Sequence, residues 1–84
     1  MAKERVTKVI DGDTFLTSRR SKPVRLANVN APEKGEKGYG NAKQKLQKLI
    51  LNQEVRVSTV ARDKYGRAVA NVYKGRESVN KKMK

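Results

Sequence analysis

Asp11-Gly12-Asp13 separates two short segments that are rich in β-branched and apolar side chains, Val6 to Ile10 and Thr14 to Thr17. An Asp-Gly pair between two such segments is a strong signal for a β-hairpin, because Gly tolerates positive φ and Asp can bond its own backbone. We therefore predict that the chain begins with two antiparallel strands joined by a tight turn.

A third strand and one helix are predicted next along the chain. Apolar residues at Val24 and Leu26 place Arg25 on the opposite face of a strand that spans 24–29. Helical spacing of apolar residues begins after Asn41, the predicted N-cap. Asn52 is predicted to end this helix in a left-handed conformation.

Two further strands complete the predicted fold. One covers residues 55–59, and the other runs from Ala68 to Tyr73 after a turn near Lys64-Tyr65-Gly66. Three strands, a helix and two strands are the plan of a small five-stranded OB-fold β-barrel of the α+β class, with its main helix between strands 3 and 4. We expect one domain over residues 1–84, with a frayed tail at about 80–84 that lacks a buried face.

The strong positive charge of the chain favours a polyanionic partner. Lys and Arg number 21 against 8 Asp and Glu, which gives a formal net charge of +13. Such an excess supplies salt-dependent affinity for the phosphate backbone of nucleic acid. A basic protein that binds RNA without chemistry fits the charge equally well, because net charge indicates partners and not catalysis.

The N-terminal residues show no apolar signal-peptide segment, and no apolar run approaches the roughly 20 residues of a membrane helix. From the chain as given we expect a cytoplasmic monomer without a membrane partner. The chain contains no cysteine and no histidine, which excludes thiolate zinc sites, cysteine nucleophiles and histidine bases. Any catalysis must therefore use carboxylates, cationic side chains, hydroxyls and a hard metal ion.

Three motifs contain side chains of this kind. They are Asp11-Gly12-Asp13-Thr14, the segment from Arg25 to Asn30-Ala31-Pro32-Glu33, and Asp63-Lys64-Tyr65-Gly66-Arg67. Each motif alone is more typical of a turn, a strand end or a charged hairpin loop. Together and in this order they resemble the staphylococcal nuclease (thermonuclease) family, over a stretch from about Val6 to Asn80.

The resemblance implies a five-stranded OB barrel and calcium-dependent hydrolysis of DNA and RNA with little sequence specificity. It implies that Arg25 and Arg67 are the catalytic arginines and that Glu33 is the carboxylate base. Asp13 is similar to a calcium ligand of the family, and Asp11 to an acidic residue that supports the metal site.

Nucleic-acid contacts are also implied by the resemblance. Lys64 and Tyr65 match positions that contact a terminal phosphate, and we add Lys37 and Tyr39 as candidates for binding single-stranded DNA or RNA. Two guanidinium groups suit phosphate chemistry, since their planar donor forks match phosphate oxygens and stay charged at any working pH. A carboxylate is the most plausible base in a chain without histidine.

The chain departs from the family pattern at the metal site. Asn30 stands where the family carries a second metal-binding aspartate, and Ala31 stands where it usually has Thr, whose backbone carbonyl faces the ion. One fewer negative charge predicts weaker calcium binding. The family's C-terminal helices lie beyond these 84 residues, and we expect lower substrate affinity and stability from the short form.

Two functional hypotheses follow. The first is a metal-dependent nuclease of reduced activity, and the second is a catalytically weak or inactive OB module that binds single-stranded nucleic acid. Retention of all three catalytic-type side chains favours the enzyme, whereas Asn30 favours the binding module.

Overall fold

A computed structural model describes residues 2–84 of the chain. Its strands are β1 (Lys3–Asp11), β2 (Thr14–Thr17), β3 (Val24–Leu26), β4 (Glu54–Arg62), β5 (Ala68–Lys74) and β6 (Glu77–Ser78). Its helices are α1 (Tyr39–Ile50) and α2 (Val79–Met83). Neither of these helices has the length and apolar character needed to cross a membrane.

Five of the strands form a closed ring. β1 pairs antiparallel with both β2 and β4, β2 pairs with β3, and β4 pairs with β5. A parallel pairing between β3 and β5, with Arg25 opposite Val69, closes the ring. This strand order is that of the five-stranded OB fold, so the predicted fold class is confirmed. The two-residue strand β6 extends the sheet beside β5 and was not predicted.

The interior of the ring is filled by apolar side chains that alternate along the strands. On β3, Val24 and Leu26 are buried and Arg25 is half-buried, as predicted from the alternation of the sequence. On α1 the buried residues are Leu46 and Ile50, which are four residues apart and therefore share one face of the helix. The remaining buried members of the core cluster are Val6, Val9, Phe15, Val29, Val55, Val57, Ala70, Val72 and Val79.

Helix α1 begins at Tyr39, three residues before the start predicted from an N-cap at Asn41. Gly38 takes the N-cap position in a left-handed conformation with φ 88°, and no side chain caps this end. The carbonyl of Gly38 accepts from the amide of Ala42 at 3.0 Å. The predicted N-cap Asn41 thus lies inside the helix, because a glycine turn starts it instead. Asn52 does adopt the predicted left-handed conformation, with φ 63°.

The C-terminal residues form helix α2, which differs from the frayed tail expected from the sequence. Asn80 is only 4% exposed. Its side-chain oxygen accepts from the amide of Val72 at 2.8 Å, and its side-chain nitrogen donates to the carbonyls of Ala27 and Ala70 at 3.0 Å each. The tail is therefore tied to β5 by a buried amide, which a search for apolar periodicity does not detect.

Candidate active site

The β1–β2 turn supplies two carboxylates. Asp11 pairs with Thr14, which leaves Gly12 and Asp13 as a two-residue hairpin loop. The amide of Asp13 donates to Oδ1 of Asp11 at 3.0 Å, so the Asp11 side chain stabilises the turn in the way expected of Asp at this position. Both carboxylates are thereby held at one end of the barrel.

Gly12 is required by close packing, whereas the sequence pattern suggested a need for positive φ. Its φ is not among the positive values of the described residues. A Cβ atom on Gly12 would lie 2.6 Å from Cβ of Ala42 and 2.8 Å from Cβ of Ala31. The glycine therefore lets the acidic turn lie directly against α1 and against the segment that carries Ala31.

Asp13 is 8% exposed and is surrounded by donors. Thr14 Oγ1 donates to Asp13 Oδ1 at 2.8 Å, and the amide of Ala31 donates to Oδ2 at 3.3 Å. Burial works to raise the pKa of Asp13, but hydrogen bonding with Asp11, Thr14 and Ala31 and the charge of Arg25 outweigh burial and lower it. Asp13 is therefore an anion at neutral pH.

The pKa of the neighbouring Asp11 is shifted in the opposite direction. Burial raises the pKa of its carboxyl group, and hydrogen bonding with Asp13 and the negative charge of Asp13 raise it further. Two carboxylates at close range disfavour the simultaneous ionisation of both. Of the two carboxyl groups in the turn, Asp13 is therefore the more acidic.

Arg25 projects from β3 toward this turn. Its Nη2 lies 3.5 Å from Asp13 Oδ2. The guanidinium donates mainly to uncharged acceptors, which are the carbonyl of Leu26 at 3.2 Å, the carbonyl of Val29 at 3.1 Å and Oδ1 of Asn30 at 3.3 Å. These acceptors orient the group, and its contact with the Asp13 carboxylate is looser than a hydrogen-bonded ion pair.

Arg67 is positioned by the turn between β4 and β5. Its Nε donates to Oδ2 of Asp63, and its amide donates to Oδ1 of the same residue at 2.9 Å. Burial works to raise the pKa of Asp63, but these donors, the amide of Tyr65 and the charge of Arg67 together lower it. The Nη groups of Arg67 make no hydrogen bond within residues 2–84, so they remain available to a ligand.

Glu33 lies in the loop before α1 and is exposed. Its amide donates to Oε1 of Glu36 at 2.6 Å, and its carbonyl accepts from the amide of Glu36 at 2.9 Å. These two bonds shape the loop as a turn and fix the backbone that carries the Glu33 carboxylate. The sequence predicts only a loop here, and the signal for this turn is the i, i+3 spacing of Glu33 and Glu36.

A single cleft of about 420 Å³ brings these groups together. Every residue predicted to be catalytic or metal-ligating lies in its wall. The lining residues are Asp11, Asp13, Arg25, Asn30, Ala31, Glu33, Glu36 and Arg67. The cleft therefore places two arginines opposite two aspartates and two glutamates in one solvent-open space.

The four residues predicted to contact nucleic acid lie outside that wall. Lys64 and Tyr65 are exposed in the β4–β5 turn, where Tyr65 is 68% exposed and its ring lies 5.3 Å from Cζ of Arg67. Lys37 is exposed in the loop before α1. The hydroxyl of Tyr39 donates to the carbonyl of Ile10 at 2.9 Å, which ties α1 to β1.

The oxygen atoms of the cleft suit a hard divalent cation in their chemistry. Asp11 and Asp13 offer carboxylates and Asn30 offers an amide oxygen, all of them ligand types that calcium accepts. Within residues 2–84, no group of three or more His, Cys, Asp or Glu side chains is arranged to hold a metal ion. The donor set therefore fits calcium but carries few negative charges.

Comparison with known proteins supplies an independent observation. Residues 23–84 match the family described as staphylococcal nuclease homologue. The chain is 41% identical over 70 residues to a micrococcal nuclease of Shigella flexneri, which covers 81% of the chain and 40% of that protein. It is 38% identical over 82 residues to an uncharacterised endonuclease of Haemophilus influenzae, covering 94% of the chain and 46% of that protein.

A thermonuclease of Staphylococcus intermedius is 36% identical over 88 residues, and this match covers 93% of the chain and 52% of the relative. The chain thus spans about half the length of the curated relatives it matches. The matched family region contains Arg25, Asn30, Glu33 and Arg67 of the cleft.

Proposed function

The chain belongs to the staphylococcal nuclease homologue family, and from this premise we propose that it hydrolyses phosphodiester bonds of DNA or RNA with the help of a bound calcium ion. The observation that carries the proposal is the single cleft that gathers Arg25, Arg67, Glu33 and the carboxylates of Asp11 and Asp13. Cationic donors for a phosphate and a carboxylate for a water molecule are the groups that such a reaction needs.

The two arginines bind and stabilise the reacting phosphate. Attack of water on a phosphodiester increases negative charge on the non-bridging oxygens, and donors already aimed at those oxygens lower the barrier. Arg25 is held by carbonyl groups and Arg67 by Asp63. Little reorganisation of these guanidinium groups is therefore needed when the phosphate charge develops.

Glu33 orients the attacking water and accepts its proton. The carboxylate is exposed to the cleft, and its backbone is held by Glu36 through the bond to the Glu33 amide. Replacement of Glu33 by Gln preserves size but removes the ability to accept the proton. This substitution therefore separates chemistry from binding.

Asp13, Asp11, Asn30 and the carbonyl of Ala31 would hold the calcium ion. The ion, when bound, polarises the phosphate and favours deprotonation of water. Asp13 is suited to this role because it is ionised and its oxygens are fixed by Thr14 and Ala31. With Asn30 in place of a carboxylate, the charge of the site is lower and calcium is held weakly.

The substrate that we propose is a single strand, bound to a monomeric protein with little sequence preference. The net charge of +13 supports a backbone-reading mode, in which each neutralised phosphate contributes about −0.7 to the log-log slope of affinity against salt. Affinity is therefore expected to fall steeply between low and physiological salt. An affinity that does not change over this range would contradict the backbone-reading mode.

The test compares cleavage of labelled single-stranded DNA and RNA with calcium and with chelator. The variants are Glu33→Gln and the matched control Glu54→Gln, since Glu54 is exposed on β4 outside the cleft. We expect calcium-dependent cleavage by the unchanged protein and the control, and loss of cleavage with retained binding in Glu33→Gln. Binding without cleavage by the unchanged protein would identify the inactive binding module instead.

A further inference from the structure

A second cleft, of about 260 Å³, lies beside the candidate active site. Among residues 2–84, all the charged side chains that line it are cationic. We call it the basic cleft. Its lining residues are Arg19, Arg20, Ser21, Lys22, Arg62 and Ala68. They come from the β2–β3 turn, the end of β4 and the start of β5. None of them belongs to the three motifs that predicted the active site.

Several cations of the basic cleft are held in place by the protein. Arg20 donates from Nε and Nη2 to the two oxygens of Glu4, at 2.8 Å each. Arg62 donates from Nη1 to the carbonyl of Gly66 at 3.3 Å. Donors that are already ordered lose less conformational entropy when an anion binds. The basic cleft is therefore more than a set of mobile surface charges.

Lys22 belongs to the same arrangement. Its side chain lies across Gly66, where a Cβ atom would be 2.7 Å from the Lys22 ammonium nitrogen. Gly66 also has φ 81°, a conformation that glycine adopts without strain. The glycine thus allows the lysine to lie against the β4–β5 turn, close to the backbone that carries Arg67.

The basic cleft and the active-site cleft are lined by residues that are neighbours in the chain. Arg67 lines the active-site cleft, and the next residue, Ala68, lines the basic cleft. Lys22 precedes Arg25 by three residues, so their Cα atoms are at most about 11 Å apart. A strand held in the active-site cleft therefore reaches the basic cleft within a few nucleotides.

We propose that the basic cleft binds the sugar-phosphate backbone of the substrate strand a few nucleotides away from the phosphate held by Arg25 and Arg67. This inference rests on the proposed nuclease function and adds a second point of contact for the substrate. OB folds bind single strands on the face of strands 2 and 3 and at the β1–β2 and β4–β5 loops, and the basic cleft lies where the β2–β3 turn meets the ends of β4 and β5. Short substrates do not reach it, whereas longer strands occupy both clefts.

The test uses two triple variants with the same loss of charge. Arg19→Gln/Lys22→Gln/Arg62→Gln changes the basic cleft and keeps Arg20, which pairs with Glu4. The control, Lys3→Gln/Lys45→Gln/Lys48→Gln, changes three exposed lysines outside both clefts. Fluorescence anisotropy with chelator present measures affinity for a labelled dinucleotide and for a twelve-nucleotide single strand at several salt concentrations.

We expect the basic-cleft variant to bind the long strand at least about tenfold more weakly than the control does, with a salt slope less steep by about 2. Dinucleotide affinity should be unchanged in both variants. Equal weakening of long-strand binding in the two variants would overturn the proposal, because the lysines and arginines would then act through overall charge. A weaker dinucleotide affinity in the basic-cleft variant alone would also overturn it.

The nuclease proposal is tested by a separate measurement. It fails if the unchanged protein does not cleave the dinucleotide in the presence of calcium. That result would leave the length-dependent comparison interpretable, since binding is measured without cleavage. Circular dichroism and thermal unfolding check that each triple variant folds. If the basic-cleft variant does not fold, the single substitutions Arg62→Gln and Lys48→Gln give the same comparison with a smaller expected difference.

Discussion

Two buried carboxylates of this barrel accept a hydrogen bond from a threonine and face an arginine, yet the two sites differ in what the arginine does. At the site that we call closed, Thr17 donates to Glu4 Oε1 at 2.8 Å. Arg20 donates to both carboxylate oxygens of Glu4, also at 2.8 Å. The charges of Glu4 and Arg20 therefore compensate each other, in a bidentate geometry that favours strong pairing.

At the site that we call open, Thr14 donates to Asp13 Oδ1 at the same distance of 2.8 Å. Arg25, however, approaches Asp13 only to 3.5 Å and donates to the carbonyls of Leu26 and Val29. Neutral acceptors orient an arginine without cancelling its charge. The comparison teaches that a carboxylate, a threonine and an arginine stabilise the fold when the two charges form a bidentate pair, and leave the arginine open to an anion when the contact is looser.

The largest effect that we expect concerns catalysis at the open site. Arg25→Ala should lower the single-turnover cleavage rate by about 10²–10³-fold, because a preorganised charge stabiliser is lost. Its cost in unfolding free energy should be only about 1 kcal/mol, the value of ordinary hydrogen bonds. Rapid-quench cleavage and urea unfolding measure the two effects. Glu33→Gln and Arg67→Ala should show comparable losses of rate.

Lys48→Ala is the control for this prediction, since Lys48 is exposed on α1 and lies outside the active-site cleft. It should change the cleavage rate little. A loss of rate by Lys48→Ala as large as that of the three cleft variants would show that the catalytic roles are assigned wrongly.

A substitution at the closed site should change the stability of the protein. Glu4→Gln removes the charge that pairs with Arg20, and we expect a loss of about 2 kcal/mol in unfolding free energy, below the value for a fully buried pair. The loss is moderated because the Arg20 side chain is 25% exposed. Urea unfolding measures it, with the exposed Glu54→Gln as the control that changes stability by less than about 0.5 kcal/mol. Equal stability of the two variants would show that the closed site contributes nothing.

The stability difference between the unchanged protein and Glu4→Gln should also depend on pH. The hydrogen bond from Arg20 lowers the pKa of Glu4 against the opposing effect of burial, and Thr17 lowers it further. Because the folded-state pKa is below the unfolded value of about 4.3, the stabilisation is complete above that value and is lost as pH falls through the folded-state pKa. Urea unfolding of both proteins from pH 7 to pH 3 should therefore show a difference that narrows in acid. A difference that widens in acid would contradict the lowered pKa.

The smallest effect should come from a substitution that adds a carboxylate to the open site. Asn30 Oδ1 accepts from Arg25 at 3.3 Å, so Asn30→Asp adds a carboxylate beside Arg25 and beside Asp13. We expect calcium to bind up to about tenfold more tightly, equivalent to about 1.4 kcal/mol, and cleavage at limiting calcium to rise. Thermal unfolding with chelator and with calcium measures the added stabilisation. If calcium stabilises both proteins equally, Asn30 is not a metal ligand.

Features that depend on neighbouring residues in the chain could be predicted from the sequence. β2 covers Thr14–Thr17 as predicted, and the Asp11-Gly12-Asp13 turn joins it to β1. Asn52 adopts its left-handed conformation. Turn chemistry and alternation act within a few residues, and together they predicted the OB fold, whereas the family was predicted from the resemblance of the three motifs. The roles of the individual site residues stay predictions.

Features that join distant parts of the chain were decided by the tertiary structure. The Glu4–Arg20 pair, the burial of Asn80 against Ala27 and the contact of Gly12 with Ala42 involve residues far apart in sequence. The same holds for the basic cleft, whose cations come from the β2–β3 turn and from the end of β4. The sequence by itself determined which residue types were present and which segments could form strands and a helix. Only the closed barrel decided which charges pair and which remain open to a ligand, because Coulomb and hydrogen-bond energies depend on distances in space that the order of residues does not contain.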